Sequence, residues 1–389
     1  MELVSKPQER PENPNFSSGP CAKRPGWSIS SLENSVTGRS HRSKDAKNKI
    51  AEVIKLSKKI LKLPDDYLIG IIPASDTGAF ETAMWSLLGP NKVDVLAWES
   101  FGLGWVNDIV KQLKIKNVDV FIADYGELPD LSNINSDNDI VFTWNGTTSG
   151  VCVPDGEWIS ENRKGLTFCD ATSAVFSIDI PWNKIDIATY SWQKVLGGEA
   201  GHGMLILSPR AIDRLNTYQP TWPIPKIFRI TKNNKINEGI FKGDTINTPS
   251  MICVEDALDG LKWSESIGGL DALIKRSKDN FSVIEKWVNK TNWVEFLAKE
   301  QLFRSTTSVC LKIVDKNFSN LDLIKKNQII HNMCKLLEDE NVAFDINSYR
   351  DAPPGIRVWC GSTINKHDIQ KLLPWLVWAY QKTIKIEEI

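Results

Sequence analysis

IDIATYSWQKVLGGEAGHGMLILS, residues 185–208, is the stretch on which the fold turns. An apolar run over 185–192 delivers Gln193 and Lys194 into a glycine-rich, almost uncharged loop, and a second apolar run follows at 203–208. Short apolar runs bounded by glycine read as buried strands. The same unit recurs upstream in YLIGII (67–72), VDVLAW (93–98), VDVFIA (118–123), DIVFTW (139–144) and GLTFCD (165–170). Between them, residues 45–63 place Ile50, Val53, Ile54, Ile60 and Leu61 at helical spacing, and the helical pattern of 79–88 stops at Gly89-Pro90. Strands that are apolar throughout, rather than alternating, are those covered on both faces. The expectation is an α/β fold with a mainly parallel central sheet flanked by helices. Beyond residue 266 the rhythm changes to a helix (270–288), two strands (292–298, 308–314), a helix (321–338), a strand (356–360) and a last helix (367–383). The division expected is a polar, proline-rich arm (1–15), a large domain (16–265) and a smaller α+β domain (266–389).

Composition narrows the function. The 389 residues carry 47 Lys plus Arg against 48 Asp plus Glu, and this parity argues against nucleic acid as partner, since neutralising phosphates needs a basic excess. Only 12 of the 47 cations are arginine, the residue that grips carboxylate or phosphate with a planar fork, so each loop arginine is a candidate anion clamp. Seven cysteines (Cys21, Cys152, Cys169, Cys253, Cys310, Cys334, Cys360), odd in number and never in a C-x-x-C pair, read as reduced and buried. With four scattered histidines they give no metal-ligand pattern. No run reaches the ~18 apolar residues of a membrane helix. The N-terminal residues lack a signal-peptide core, so no membrane and a cytoplasmic location are expected.

Ligands of an open α/β sheet sit beyond the carboxyl ends of its strands. Four such ends carry polar groups. After the first run comes Pro73-Ala74-Ser75-Asp76-Thr77-Gly78, opening a helix; its N–H groups and hydroxyls suit an anion, although Ser75, Asp76 or Thr77 could equally act as an ordinary helix cap. GLTFCD ends in Asp170, a carboxylate that needs a partner, structural or functional. Lys194 among small and apolar neighbours can serve as an amine nucleophile toward a carbonyl; a solvated surface lysine is the plainer alternative. DIVFTW runs into the hydroxyl-rich loop Asn145-Gly146-Thr147-Thr148-Ser149-Gly150. An anion site, a carboxylate for a ring nitrogen and a lysine for an aldehyde together match pyridoxal 5'-phosphate.

With these residues in place, the chain resembles the phosphoserine aminotransferase family, in the class V group of fold-type I pyridoxal-phosphate enzymes. The resemblance covers nearly the whole length and rests on Asn15-Phe16-Ser17-Ser18-Gly19-Pro20, Ser40-His41-Arg42-Ser43, Ser191-Trp192-Gln193-Lys194 and Ile246-Asn247-Thr248-Pro249. It implies that Lys194 is the Schiff-base lysine and proton shuttle, that Asp170 pairs with the pyridinium nitrogen, and that Thr147 bonds the phenolic oxygen. Phe101 would stack on the ring. Asp76 and Thr77, through backbone N–H groups, and Gln193 would hold the cofactor phosphate, and Asn247 and Thr248 would reach it from a neighbouring subunit, which implies a homodimer. For the substrate, Arg357 in Gly355-Ile356-Arg357-Val358 would take the α-carboxylate. His41, Arg42 and Arg350 would take the distal phosphate, with Ser18 from the opening motif.

Two departures are visible. Where many members have Gly-Gly-Gly-Arg, this chain has Ala74-Ser75-Asp76-Thr77, and the histidine commonly preceding the second clamp arginine is Tyr349. The expected activity is transfer of the amino group of L-glutamate to 3-phosphohydroxypyruvate, by resemblance also to the phosphorylated oxo acid of vitamin B6 synthesis. The alternatives are a serine– or alanine–glyoxylate transaminase and a non-catalytic pyridoxal-phosphate-binding protein. A lyase or desulfurase would need a mobile cysteine, and Cys169 alternates away from Asp170 along its strand.

Overall fold

A computed structural model of the chain describes residues 4–386; the first three residues of the expected arm and the last three of the expected C-terminal domain lie outside the described residues. Among the described residues, fourteen strands and nine α-helices follow one another. They are α1 (Lys44–Ile60), β1 (Leu68–Pro73), α2 (Ser75–Leu87), β2 (Val93–Ala97), α3 (Ser100–Asn107), β3 (Val118–Ile122), β4 (Asp139–Thr143), β5 (Asn145–Gly146), β6 (Val151–Cys152), β7 (Thr167–Asp170), β8 (Ile187–Ser191) and β9 (His202–Leu207). Then come α4 (Pro209–Thr217), β10 (Thr231–Lys232), β11 (Lys235–Ile236), α5 (Met251–Ser266), α6 (Gly269–Val288), β12 (Val294–Phe296), β13 (Ser308–Ile313), α7 (Lys316–Ser319), α8 (Leu323–Asp339), β14 (Gly355–Trp359) and α9 (Lys366–Ile386).

Seven strands form the central sheet in the order β1-β9-β8-β7-β4-β2-β3. Pairings from β8 through β7, β4 and β2 to β3 are parallel, and β9 alone runs antiparallel to both neighbours. The doubly covered reading holds for β2, β4, β7, β8 and β9, all buried along their length. It fails for β3, an edge strand in which Val120 is 42% and Ile122 59% exposed, two residues of one face that is left uncovered.

Helix α1 shows why the flanking helices form where they do. Ser43 caps its first turn by accepting from the Ala46 N–H, Asp45 faces the positive end of the dipole, and Ala46, Ile50, Val53, Leu56 and Ile60 make one buried stripe. Each large side chain so buried contributes about 1.5–3 kcal/mol.

The second sheet, β12-β13-β14, is antiparallel. Residues 4–15 run along the C-terminal part of the chain. Phe344 N–H donates to the Pro14 carbonyl at 2.9 Å, Trp375 Nε1 donates to the Glu9 carbonyl at 2.7 Å, and the Arg10 guanidinium lies 5.2 Å from the Trp375 ring. The opening motif then bridges the two sheets: Trp359 N–H donates to the Phe16 carbonyl at 3.0 Å, and Cys21 N–H to the Gln193 carbonyl at 2.8 Å. The cysteines are free, six buried and Cys253 half-buried. Among the described residues, no helix is long and apolar enough to cross a membrane.

Candidate active site

The carboxyl ends of β1, β4, β7 and β8 converge on a cavity of about 320 Å³. Asp170, the last residue of β7, and Lys194, three residues past β8, both line it and are both buried. Lys194 Nζ donates to the Ser18 carbonyl oxygen, so the opening motif orients the amine. Only glycine fits beside it: a Cβ on Gly19 would lie 2.5 Å from Lys194 Nζ and 3.1 Å from its Cε, at a φ of +148°. Burial pulls the Lys194 pKa below its ordinary value, while the nearby Asp170 and Glu99 carboxylates oppose that. A larger fraction of neutral, nucleophilic amine follows.

Asp170 accepts from Trp105 Nε1 at 3.1 Å and from the Thr172 N–H at 3.1 Å. Two donors fix the carboxylate, yet burial lifts its pKa above the usual range. The Asp76 carboxyl faces Asp170 and the Thr189 hydroxyl; burial first, and the Asp170 charge second, hold its pKa well above the ordinary value. Two buried carboxyls facing one another favour a shared proton.

The turn before α2 removes the capping alternative left open by the sequence. The cap residue is Ala74, which makes no side-chain cap bond, so Ser75, Asp76 and Thr77 are not caps but the first turn itself. Ala74 and Ser75 have φ of 66° and 56°, a left-handed pair that non-glycine residues rarely adopt. The first N–H groups of a helix have no intrahelical acceptor, and here the residues of that first turn, Ser75, Asp76 and Thr77, line the cavity. Gly78 is required where it stands, since a Cβ there would meet the Pro73 carbonyl oxygen at 2.1 Å.

Of the residues singled out from the sequence, the fold brings Asp76, Thr77, Phe101, Thr147, Asp170, Gln193 and Lys194 to this one cavity. The Thr147 hydroxyl donates to Ser173 Oγ at 2.8 Å, and Phe101 is 39% exposed at the rim. Ser18 is buried behind the cavity, its Oγ 3.4 Å from Ser308 Oγ, and it reaches Lys194 through its carbonyl rather than its side chain. Arg357, on β14 opposite Cys310 of β13, is half-buried, and its Nε is enclosed without a partner. Arg350 is exposed. His41 is half-buried and Arg42 exposed, in the loop before α1; Asn247 and Thr248 are exposed before α5; none of these four lines the cavity.

The sequence reading did not assign roles to Trp105, Glu99 or Tyr349. Glu99 caps α3 by accepting from Gly102 N–H at 2.8 Å and also accepts from the Thr148 hydroxyl at 2.7 Å, which locks the strand-end loops together. The signal for Trp105 was its place one helical turn after Phe101.

The residues present fit pyridoxal phosphate. Asp76 Oδ1, Thr143 Oγ1, Asn145 Oδ1 and Gln193 Oε1 are buried without hydrogen-bond partners on residues that line the cavity. These four atoms leave hydrogen-bonding capacity for a polar ligand in the cavity. Burial disfavours the thiolate at Cys21 and Cys169, raising the first to about 12 and the second well above its ordinary value.

No family model matches the chain. It is 59% identical over 375 residues to the phosphoserine aminotransferase of Methanosarcina barkeri (strain Fusaro / DSM 804), covering 96% of this chain and 99% of that protein. Among solved structures, it resembles a phosphoserine aminotransferase from Cytophaga hutchinsonii with a TM-score of 0.78 at 22% identity, over 96% of this chain and 99% of the other. It also resembles an alanine–glyoxylate aminotransferase from Nostoc sp. with a TM-score of 0.77 at 18% identity, over 97% of each chain. The two folds are alike at this level.

Proposed function

Because the chain belongs to the phosphoserine aminotransferase family, we propose that it is a pyridoxal-phosphate-dependent transaminase of serine biosynthesis. It moves the amino group of L-glutamate to 3-phosphohydroxypyruvate, giving 2-oxoglutarate and O-phospho-L-serine. The observation that carries this reading is the buried Lys194 amine sharing one cavity with the Asp170 carboxylate and the open N-terminus of α2.

When bound, the cofactor supplies an electrophilic carbonyl and a ring that accepts the electron pair released at the substrate Cα. The protein supplies the rest. Lys194 takes the proton from Cα and returns one, and the Ser18 carbonyl keeps its Nζ aimed. Asp170, held by Trp105 and Thr172, keeps a proton on the ring nitrogen. The first-turn N–H groups of Asp76 and Thr77, with Gln193, hold the cofactor phosphate, Thr147 the phenolic oxygen, and Phe101 covers the ring. Arg357 takes the α-carboxylate common to both substrates. Arg350, His41 and Arg42 take the distal anion.

The exposure of Asn247 and Thr248 supports their role in a homodimer, where they complete the phosphate site of a second copy. On this reading residues 16–265 form the cofactor-binding domain and 266–389 the domain that supplies Arg350 and Arg357. The enzyme works in the cytoplasm on small anionic substrates.

The test is an acceptor panel with glutamate as donor. Phosphohydroxypyruvate is expected to outcompete hydroxypyruvate and glyoxylate, and preferred use of glyoxylate would replace this reading with the glyoxylate-type one. Arg42→Ala sharpens the choice: a large rise in KM confined to the phosphorylated acceptor is expected.

A further inference from the structure

Tyr349 is the residue through which the two proposed substrate arginines meet. The Arg357 guanidinium lies 5.7 Å from the centre of the Tyr349 ring and the Arg350 guanidinium 5.1 Å from it. Arg350 Nη2 also donates to the Tyr349 hydroxyl at 3.0 Å. The ring lines the cavity and packs at 5.4 Å against Phe101 on the far side of the mouth. One neutral aromatic ring therefore holds two like charges within the sum of those two arginine distances of each other. A π face attracts each guanidinium and adds no charge of its own, which offsets their mutual repulsion. The two cations are then spread to suit a short substrate with an anion at each end.

We propose that Tyr349 is a specificity-determining positioning residue: its ring sets the spacing of Arg350 and Arg357, and its hydroxyl orients Arg350 toward the distal anion. The inference rests on the transaminase reading for the identity of that substrate, but the pairing itself does not. Loss of the hydroxyl and loss of the ring have separable consequences. Tyr349→Phe removes the bond to Arg350 and keeps both π contacts, so it acts on the distal anion alone. Tyr349→Ala removes every contact and acts on both ends.

The experiment is steady-state kinetics of the holoenzyme with phosphohydroxypyruvate and hydroxypyruvate, paired with calorimetric titration of the holoenzyme with inorganic phosphate. For Tyr349→Phe, KM for the phosphorylated acceptor is expected to rise roughly threefold to tenfold, the range for one ordinary net hydrogen bond, because Arg350 is exposed to water. Its kcat and its KM for hydroxypyruvate are expected to stay unchanged. Tyr349→Ala is expected to raise KM for both acceptors. An unchanged KM for phosphohydroxypyruvate in Tyr349→Phe, or an equal change for both acceptors, overturns the proposal. If the wild type does not prefer the phosphorylated acceptor, the transaminase substrate is wrong. The phosphate titration then decides the pairing alone: weaker binding in Tyr349→Phe upholds it and equal binding refutes it. Unaltered visible absorbance of the cofactor in both variants shows that the site has folded.

Discussion

Asp76→Asn tests how the two buried carboxyls share the site. Asp76 is 6% exposed, its Oδ1 has no partner, and its carboxyl faces Asp170. Its pKa is raised in the fold, by burial and then by the Asp170 charge, whereas in the unfolded chain it is ordinary. The folded state therefore binds this proton more tightly. The associated stability is fully present below the unfolded pKa and is lost as pH rises through the folded one. An amide of nearly the same shape donates a hydrogen bond at every pH and never ionises. At acidic pH the variant and the wild type should be equally stable, and toward alkaline pH the variant should gain about 1–3 kcal/mol, the cost of leaving a buried polar group unsatisfied. The gain is in the same direction as relief of Asp170, whose pKa is also raised. Denaturant unfolding of the cofactor-free protein across a pH series measures it. Parallel pH profiles for the two proteins, or a variant less stable at every pH, would refute the shared-proton account.

Three further outcomes follow from single sites. Gly19→Ala sets a methyl 2.5 Å from Lys194 Nζ at a φ of +148°, so it should sharply weaken cofactor retention, read from visible absorbance, while unfolding stability drops by about 1–3 kcal/mol. Asp186→Ala, remote from the cavity, leaves Arg163 buried without its partner at 3.0 Å and also strips Arg210, Ser208 and the Thr167 N–H of an acceptor; a loss of about 3–5 kcal/mol by denaturant unfolding is expected. Ser18→Ala should leave activity nearly intact, because it is the Ser18 carbonyl that meets Lys194; a large fall in kcat would show that the hydroxyl matters after all.

The strands were legible because burial on both faces leaves a continuous apolar run, as in β4 and β8. Helix α3 was not, because Gly102 and Gly104 blur an eight-residue segment whose stability comes from the Glu99 cap and from Trp105 packed 4.7 Å from Phe80. Helix α5 hides its period because Glu255 and Asp256 are buried among its apolar residues, each paired with a lysine from elsewhere in the chain. In the site, Asp170 and Lys194 announced themselves as polar ends of apolar strands. The bond from Trp105 to Asp170 joins residues 65 positions apart, and no local pattern encodes it. Nor does local sequence show that Ala74 and Ser75 adopt a left-handed turn, since tertiary contacts impose it against their own preference. Tyr349 stood out only as a departure at its position; its contacts with two arginines depend on the path of the segment before β14.

The central claim is that Lys194 is the amine that would hold the cofactor's carbonyl and move the proton at the substrate Cα. Adding glutamate to the purified, cofactor-loaded protein should bleach the cofactor's visible absorbance band, and phosphohydroxypyruvate should restore it. Lys194→Ala should abolish this cycle, and a variant that kept the band, the bleaching and full activity would contradict the assignment.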